Sequence, residues 1–118
     1  MEYMLLIHSD DDAFDKLPKD TQMQAIAAYR AYGEALRKAD ALRSSNRLRR
    51  AHESTIVKVR DGKTQVHNGP FAETREELGG YYLIDVPSLD DALAWAARCP
   101  GASHGTVEVR PVWDMTAP

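Results

Sequence analysis

The sequence predicts an α+β domain, with one antiparallel sheet carrying two helices on a single face. Three observations lead there. Apolar residues alternate, or occupy both faces, in short runs at residues 2–7, 54–67, 78–86 and 106–113. Between these runs, residues 18–39 and 88–99 repeat apolar side chains at three- and four-residue spacing, the period of a helix. The chain has 118 residues, 43% hydrophobic and 28% charged, which is the composition of one globular domain and not of a disordered segment.

The first strand sets Tyr3, Leu5 and Ile7 on one face against Met4 and Leu6 on the other, so both sides of it need cover. The chain then turns polar through Asp10, Asp11 and Asp12. Two helix entries are available: Pro18 suits a first helical turn, and Thr21-Gln22-Met23-Gln24 could form a capping box. From there a helix runs to about Ala39. Met23, Ile26, Tyr29, Gly33 and Leu36 form its apolar stripe, with Gln24, Arg30, Glu34 and Arg37 opposite.

Next, Thr55, Val57 and Val59 alternate with Ile56, Lys58 and Arg60. Asp61-Gly62 follows, then a second alternating run around Thr64 and Val66, which together make a strong hairpin signal. Asn68-Gly69-Pro70-Phe71 is a turn by its chemistry. A strand follows over residues 78–86. Ser88 then caps a helix whose first turn holds Asp90 and Asp91 and whose stripe is Ala92, Leu93 and Ala96; Cys99-Pro100-Gly101 stops it. The last strand, residues 106–113, sets Val107, Val109 and Trp113 on one face, with Glu108 and Arg110 on the other.

The order strand, helix, hairpin, strand, helix, strand is a ferredoxin-like pattern with one extra strand in the hairpin. Right-handed crossovers place both helices on one face and leave the other bare. That bare face carries Met4 and Leu6, too apolar for water, and the mean hydropathy of −0.49 leaves little surplus for a private core. A second copy of the chain is the expected cover, giving a homodimer. A chain of this length should have a radius of gyration of about 13 Å.

Composition excludes several function classes. The net charge of −3 gives no electrostatic reason to bind nucleic acid or an anionic membrane. Arg43, Arg47, Arg49 and Arg50 could grip an anion or form a solvated face. The single cysteine, Cys99, cannot form an intrachain disulfide, and its place at a helix C-terminus disfavours a thiolate. His8, His52, His67 and His104 lack metal-ligand spacing, so neither metal nor other cofactor is expected. No targeting segment or membrane span is read, which predicts a cytoplasmic protein.

The densest stretch is residues 67–82. It contains Gly69-Pro70-Phe71, Glu73-Thr74, Glu76 and Gly79-Gly80-Tyr81-Tyr82; Tyr3-Met4-Leu5-Leu6-Ile7 opens the chain and Gly105-Thr106-Val107-Glu108-Val109-Arg110-Pro111 closes it. In these residues the chain resembles the YCII-related family, in the branch named for an Asp-Gly-Pro-Phe motif. The resemblance implies a ferredoxin-like fold that dimerises into an α+β barrel. It also implies either a small-molecule enzyme, such as a lyase or dehalogenase, or an accessory protein linked to an extracytoplasmic-function sigma factor; acid–base chemistry of lyase or isomerase type is the expectation for the first. Asn68 stands where the motif has an acid, and Arg75 where it usually has a lysine. The family's His–Asp pair places its histidine on the first helix, where this sequence has Tyr29.

Two readings of function follow. In one, a dimeric barrel binds a small anionic or carbonyl compound in a cleft between sheet and helix. Asn68, Phe71, Arg75, Glu108 and Arg110 then contact the ligand, and Glu73 is the general base. Against this, Phe71 could simply plug the core, and Glu108 and Arg110 could simply pair with each other. In the other reading, the same dimer is a regulatory module without chemistry.

Overall fold

A computed structural model describes residues 1–116. Its main sheet has four strands: β1 (Glu2–Ser9), β2 (Leu42–Arg47), β5 (Glu77–Asp85) and β6 (Thr106–Pro111), in the spatial order β2-β5-β1-β6 with every neighbouring pair antiparallel. β1 and β2 are thus parallel with β5 between them, and β5 and β6 are parallel with β1 between them. Two interleaved strand–helix–strand units with this order are the ferredoxin-like topology. A separate two-stranded ribbon, β3 (Thr55–Arg60) and β4 (Lys63–Asn68), lies outside the sheet.

The crossovers supply the helical layer, α2 (Lys19–Lys38) and α3 (Leu89–Arg98). Tyr3, Leu5 and Ile7 of β1 are buried beneath them with Ile84, Leu36, Tyr32, Ala92 and Ala96. Leu5, Leu36, Ile84 and Cys99 are fully buried, each apolar side chain contributing about 1.5–3 kcal/mol. Tyr32 ties the layer together. Its hydroxyl donates to the Trp95 carbonyl at 2.8 Å, and its ring meets Tyr82 edge-on at 5.1 Å. Ser88 caps α3 as expected, accepting from the Asp91 amide and donating to the Asp91 carboxylate.

Several expectations need correction. The hairpin adds no strand to the sheet; the sheet's second strand is β2, whose Leu-Arg-Ser-Ser-Asn-Arg sequence carries too little apolar character to read as one. Met23 and Ile26 of the α2 stripe are exposed, because only the C-terminal half of that helix, Tyr32, Gly33 and Leu36, is buried. Two short helices, α1 (Asp11–Asp15) and α4 (Gly101–His104), fill segments read as polar loop and helix stop. β6 ends at Pro111, leaving Trp113 exposed. The radius of gyration is 16.4 Å with extents of 49 × 48 × 17 Å, a thin slab.

Candidate functional site on the open face of the sheet

β1 runs between β5 and β6, so its outward residues Met4, Leu6 and His8 occupy the middle of the face away from the helices. The register sets Leu6 beside Tyr81 and Glu108, Met4 beside Leu83 and Arg110, and Asn46 beside Tyr81. One strip across the sheet therefore reads Asn46, Tyr81, Leu6, Glu108. An apolar centre is flanked by a polar group at each end.

His8 and Glu108 are diagonal neighbours across the β1–β6 ladder, since the residue directly opposite His8 is Thr106. His8 Nε2 lies 3.1 Å from Glu108 Oε1, and Arg110 Nη2 donates to Glu108 Oε2 at 2.7 Å. Both carboxylate oxygens are engaged. The Arg110 hydrogen bond, then that of His8, holds the Glu108 carboxyl below the usual carboxylate range. An ionised carboxylate only accepts, so in the neutral imidazole Nε2 carries the proton and Nδ1 the lone pair. Among the described residues Nδ1 has no hydrogen-bond partner. This gives a half-exposed imidazole oriented by a carboxylate, with a guanidinium alongside that keeps donors to spare.

At the other end of the strip, the Tyr81 hydroxyl accepts from Asn46 Nδ2 at 2.8 Å and lies 3.5 Å from Ser44 Oγ. These two neighbours hold the phenol below its ordinary value.

The residues expected to bind a ligand do not gather in one cleft. Glu108 and Arg110 pair on the open face, as the sequence allowed. Asn68 ends β4, exposed, ahead of a cis Gly69–Pro70 bond. Phe71 is 83% exposed, which overturns its reading as a core plug. Glu73 is exposed, with no side-chain partner among the described residues. Arg75 reaches Asp10 at 3.4 Å, beyond the end of β1. The loop touches β6 through a different residue, since Glu76 Oε1 accepts from Thr106 Oγ1 at 2.7 Å.

The arginine cluster is largely committed within the chain. Arg43 meets Asp85 at 3.6 Å, Arg49 meets Glu53 at 2.8 Å, and Arg50 holds Asp11 and Asp15. Arg47 and Arg50 share the Phe14 ring at 5.9 and 5.8 Å. An open cleft of about 300 Å³ lies among Arg47, Leu48, Arg49, Arg50 and Glu53. A second, of about 290 Å³ and lined largely by Leu93, Ala96, Val107 and Val109, runs beside α3 and β6. Among the described residues no three His, Cys, Asp or Glu side chains are grouped to share a metal ion. Burial pushes the Cys99 thiol up, against a nucleophilic role.

Tyr29, at the helix position where the resemblance sets a histidine, is half-buried, and burial pushes its phenol up to about 12. It stays protonated near neutrality. The chain matches the family model of the YCII-related domain over residues 1–116. It belongs to the YCII-related family. An uncharacterised protein of Rhizobium meliloti (strain 1021) is 34% identical over 114 residues, covering 95% of this chain and 92% of that protein. In this YCII-related chain a histidine, His8, meets a carboxylate, Glu108, on the sheet.

Sequence reading missed His8 because it considered the histidine only as a metal ligand and set it aside for its spacing. The usable signal was parity. His8 shares the outward face of β1 with Met4 and Leu6, and the ferredoxin-like order brings β6, with its outward Glu108, alongside. Among the described residues no helix is long and apolar enough to cross a membrane.

Proposed function

We propose that this chain is a small-molecule-binding protein, dimeric through the open face of its sheet, that performs acid–base chemistry on a small anionic or carbonyl compound. The observation that carries this reading is the double engagement of Glu108, one oxygen on His8 and the other on Arg110. Glu108 orients the imidazole. Nδ1 is the base that removes a proton next to a carbonyl and returns it elsewhere. Arg110 pairs with the substrate's carboxylate through the donors Glu108 leaves free. A second copy closing over Met4, Leu6 and Leu83 excludes water from these groups and strengthens each charge interaction. Glu73, solvent-exposed and without a side-chain partner among the described residues, is the weaker candidate for the base.

The test is hydrogen–deuterium exchange at the carbon beside the carbonyl, followed by proton NMR across a panel of 2-oxo acids. Wild-type protein is expected to accelerate exchange for at least one member. His8→Gln and Glu108→Gln should each lower that rate by about 10²-fold or more. Retention of the full rate in His8→Gln overturns the assignment.

A second reading, an interaction module without chemistry, is favoured by Phe71, whose ring stands exposed on its loop. It predicts no exchange with any panel member and a partner lost in Phe71→Ala.

A further inference from the structure

The ribbon of β3 and β4 cannot be explained by the chain it belongs to. Asp61 (φ 52°) and Gly62 (φ 72°) make the two-residue turn that joins it, and its pairing runs from Thr55 opposite Asn68 to Arg60 opposite Lys63. Each strand has six residues, so the ribbon is about 20 Å long. It forms no ladder with the main sheet, and of its twelve strand residues only Ile56 is even partly buried. A lone two-stranded hairpin is marginal in water.

Its two faces differ sharply. Val57 lies directly opposite Val66, and Val59 opposite Thr64, so one face holds Val57, Val59 and Val66, exposed by 61, 57 and 62%. The other carries Lys58 opposite Gln65 and Arg60 opposite Lys63. An alternating ribbon with one wet face is built to have its apolar face covered.

We propose that the hairpin is an arm that lays its Val57–Val59–Val66 face on a second copy of this chain. This rests on the dimer of the preceding section. Charge favours that occupant at long range. Lys58, Arg60 and Lys63, on the wet face, against Asp61 leave the ribbon at +2, whereas the whole chain is −3, so the body of the second copy is −5. The same copy also brings cover for the open sheet face, so one association buries both uncovered surfaces.

The experiment is light scattering on a dilution series of three proteins. These are wild type, the triple variant Val57→Thr/Val59→Thr/Val66→Thr, which keeps side-chain shape and β-branching, and Leu6→Lys on the open face. Wild type should be a dimer of about twice the 13.2 kDa chain mass. The triple variant should dissociate at roughly tenfold higher concentration or more, with an unchanged far-UV spectrum. Amide exchange in residues 55–68 should be slow at high protein concentration and quicken on dilution. If Leu6→Lys dissociates while the triple variant stays as tight as wild type, the arm is overturned and the sheet-face dimer stands. Concentration-independent exchange in the hairpin also overturns the arm. A monomeric wild type overturns both.

Discussion

Gly105 closes α4 and leads into β6, and the structure leaves no room there for a side chain. A Cβ built on it falls well inside 3.0 Å of the His8 carbonyl oxygen and 3.2 Å from the Ser9 Cα. Both obstacles are backbone of the central strand, held by ladders on either side, so neither can swing away. Its φ of −142° lies outside the left-handed region, so the case against Gly105→Ala is argued from space. Overpacking of this kind costs about 2–3 kcal/mol. With 118 residues the unfolding entropy is about 0.25 kcal/mol/K, so each kcal/mol moves the midpoint by about 4 °C. Gly105→Ala should therefore melt about 8–12 °C below wild type by circular dichroism. Because the strand displaced is the one that bears His8, the His8 ring nitrogens should shift as well in ¹⁵N NMR. Gly33→Ala is the control. That glycine sits inside α2 with nothing within 4 Å of a built Cβ, so alanine should raise the midpoint by about 2–4 °C through helix propensity. A Gly105→Ala protein that melts within about 2 °C of wild type refutes the close-approach argument.

Ser88→Ala removes the N-cap of α3 and should cost about 1 kcal/mol, read as a shift of the urea midpoint at unchanged slope. Acid should destabilise the fold through Glu108 and Asp85. Arg110 and His8 depress the first; the Met1 ammonium, then Arg43, depresses the second. A carboxyl whose folded pKa lies below its unfolded value contributes stability above the unfolded pKa of about 4, and loses it as pH falls through the folded pKa. Asp11 acts in the opposite sense, since burial raises its pKa and its ionisation weakens the fold as pH rises. Melting between pH 3 and 7 should therefore flatten in the acid limb when Glu108 is replaced by Gln, and an unchanged limb rejects the pairing. Spectrophotometric titration should show the Tyr29 phenol ionising only near pH 12, after Tyr81, whose phenol Ser44 and Asn46 hold down; earlier ionisation would mean that its site is wetter than the structure has it.

The helical layer was legible because its residues answer to local rules. Ser88 with two acids behind it, and the Asp61–Gly62 turn between alternating runs, are nearest-neighbour chemistry, and both stand where expected. β2 was hidden for an equally physical reason. An edge strand with one half-covered side can be built from Arg43, Ser44, Ser45 and Asn46, because its ladder with β5 and its small polar contacts to Tyr81 supply what apolar alternation supplies elsewhere. Losing that strand sent the hairpin into its place in the sheet.

The candidate site shows the same boundary between local and long-range information. Glu108 and Arg110 are two residues apart on one strand, so their pairing follows from strand parity alone. His8 lies a hundred residues away, and its meeting with Glu108 depends on β1 being central, on β6 being its neighbour, and on a register that makes the two diagonal. Loop residues were over-weighted for the converse reason. Glu73 and Arg75 sit in a stretch dense with motif character, but a loop's sequence does not say which way it faces. Here it faces solvent, tied down through Thr74, Glu76 and Glu77. The same logic governs the hairpin. Its valine face was visible as alternation from the outset, yet alternation reports only that a face must be covered. The uncovered valines acquire a meaning only once the fold shows that the chain's own body does not cover them.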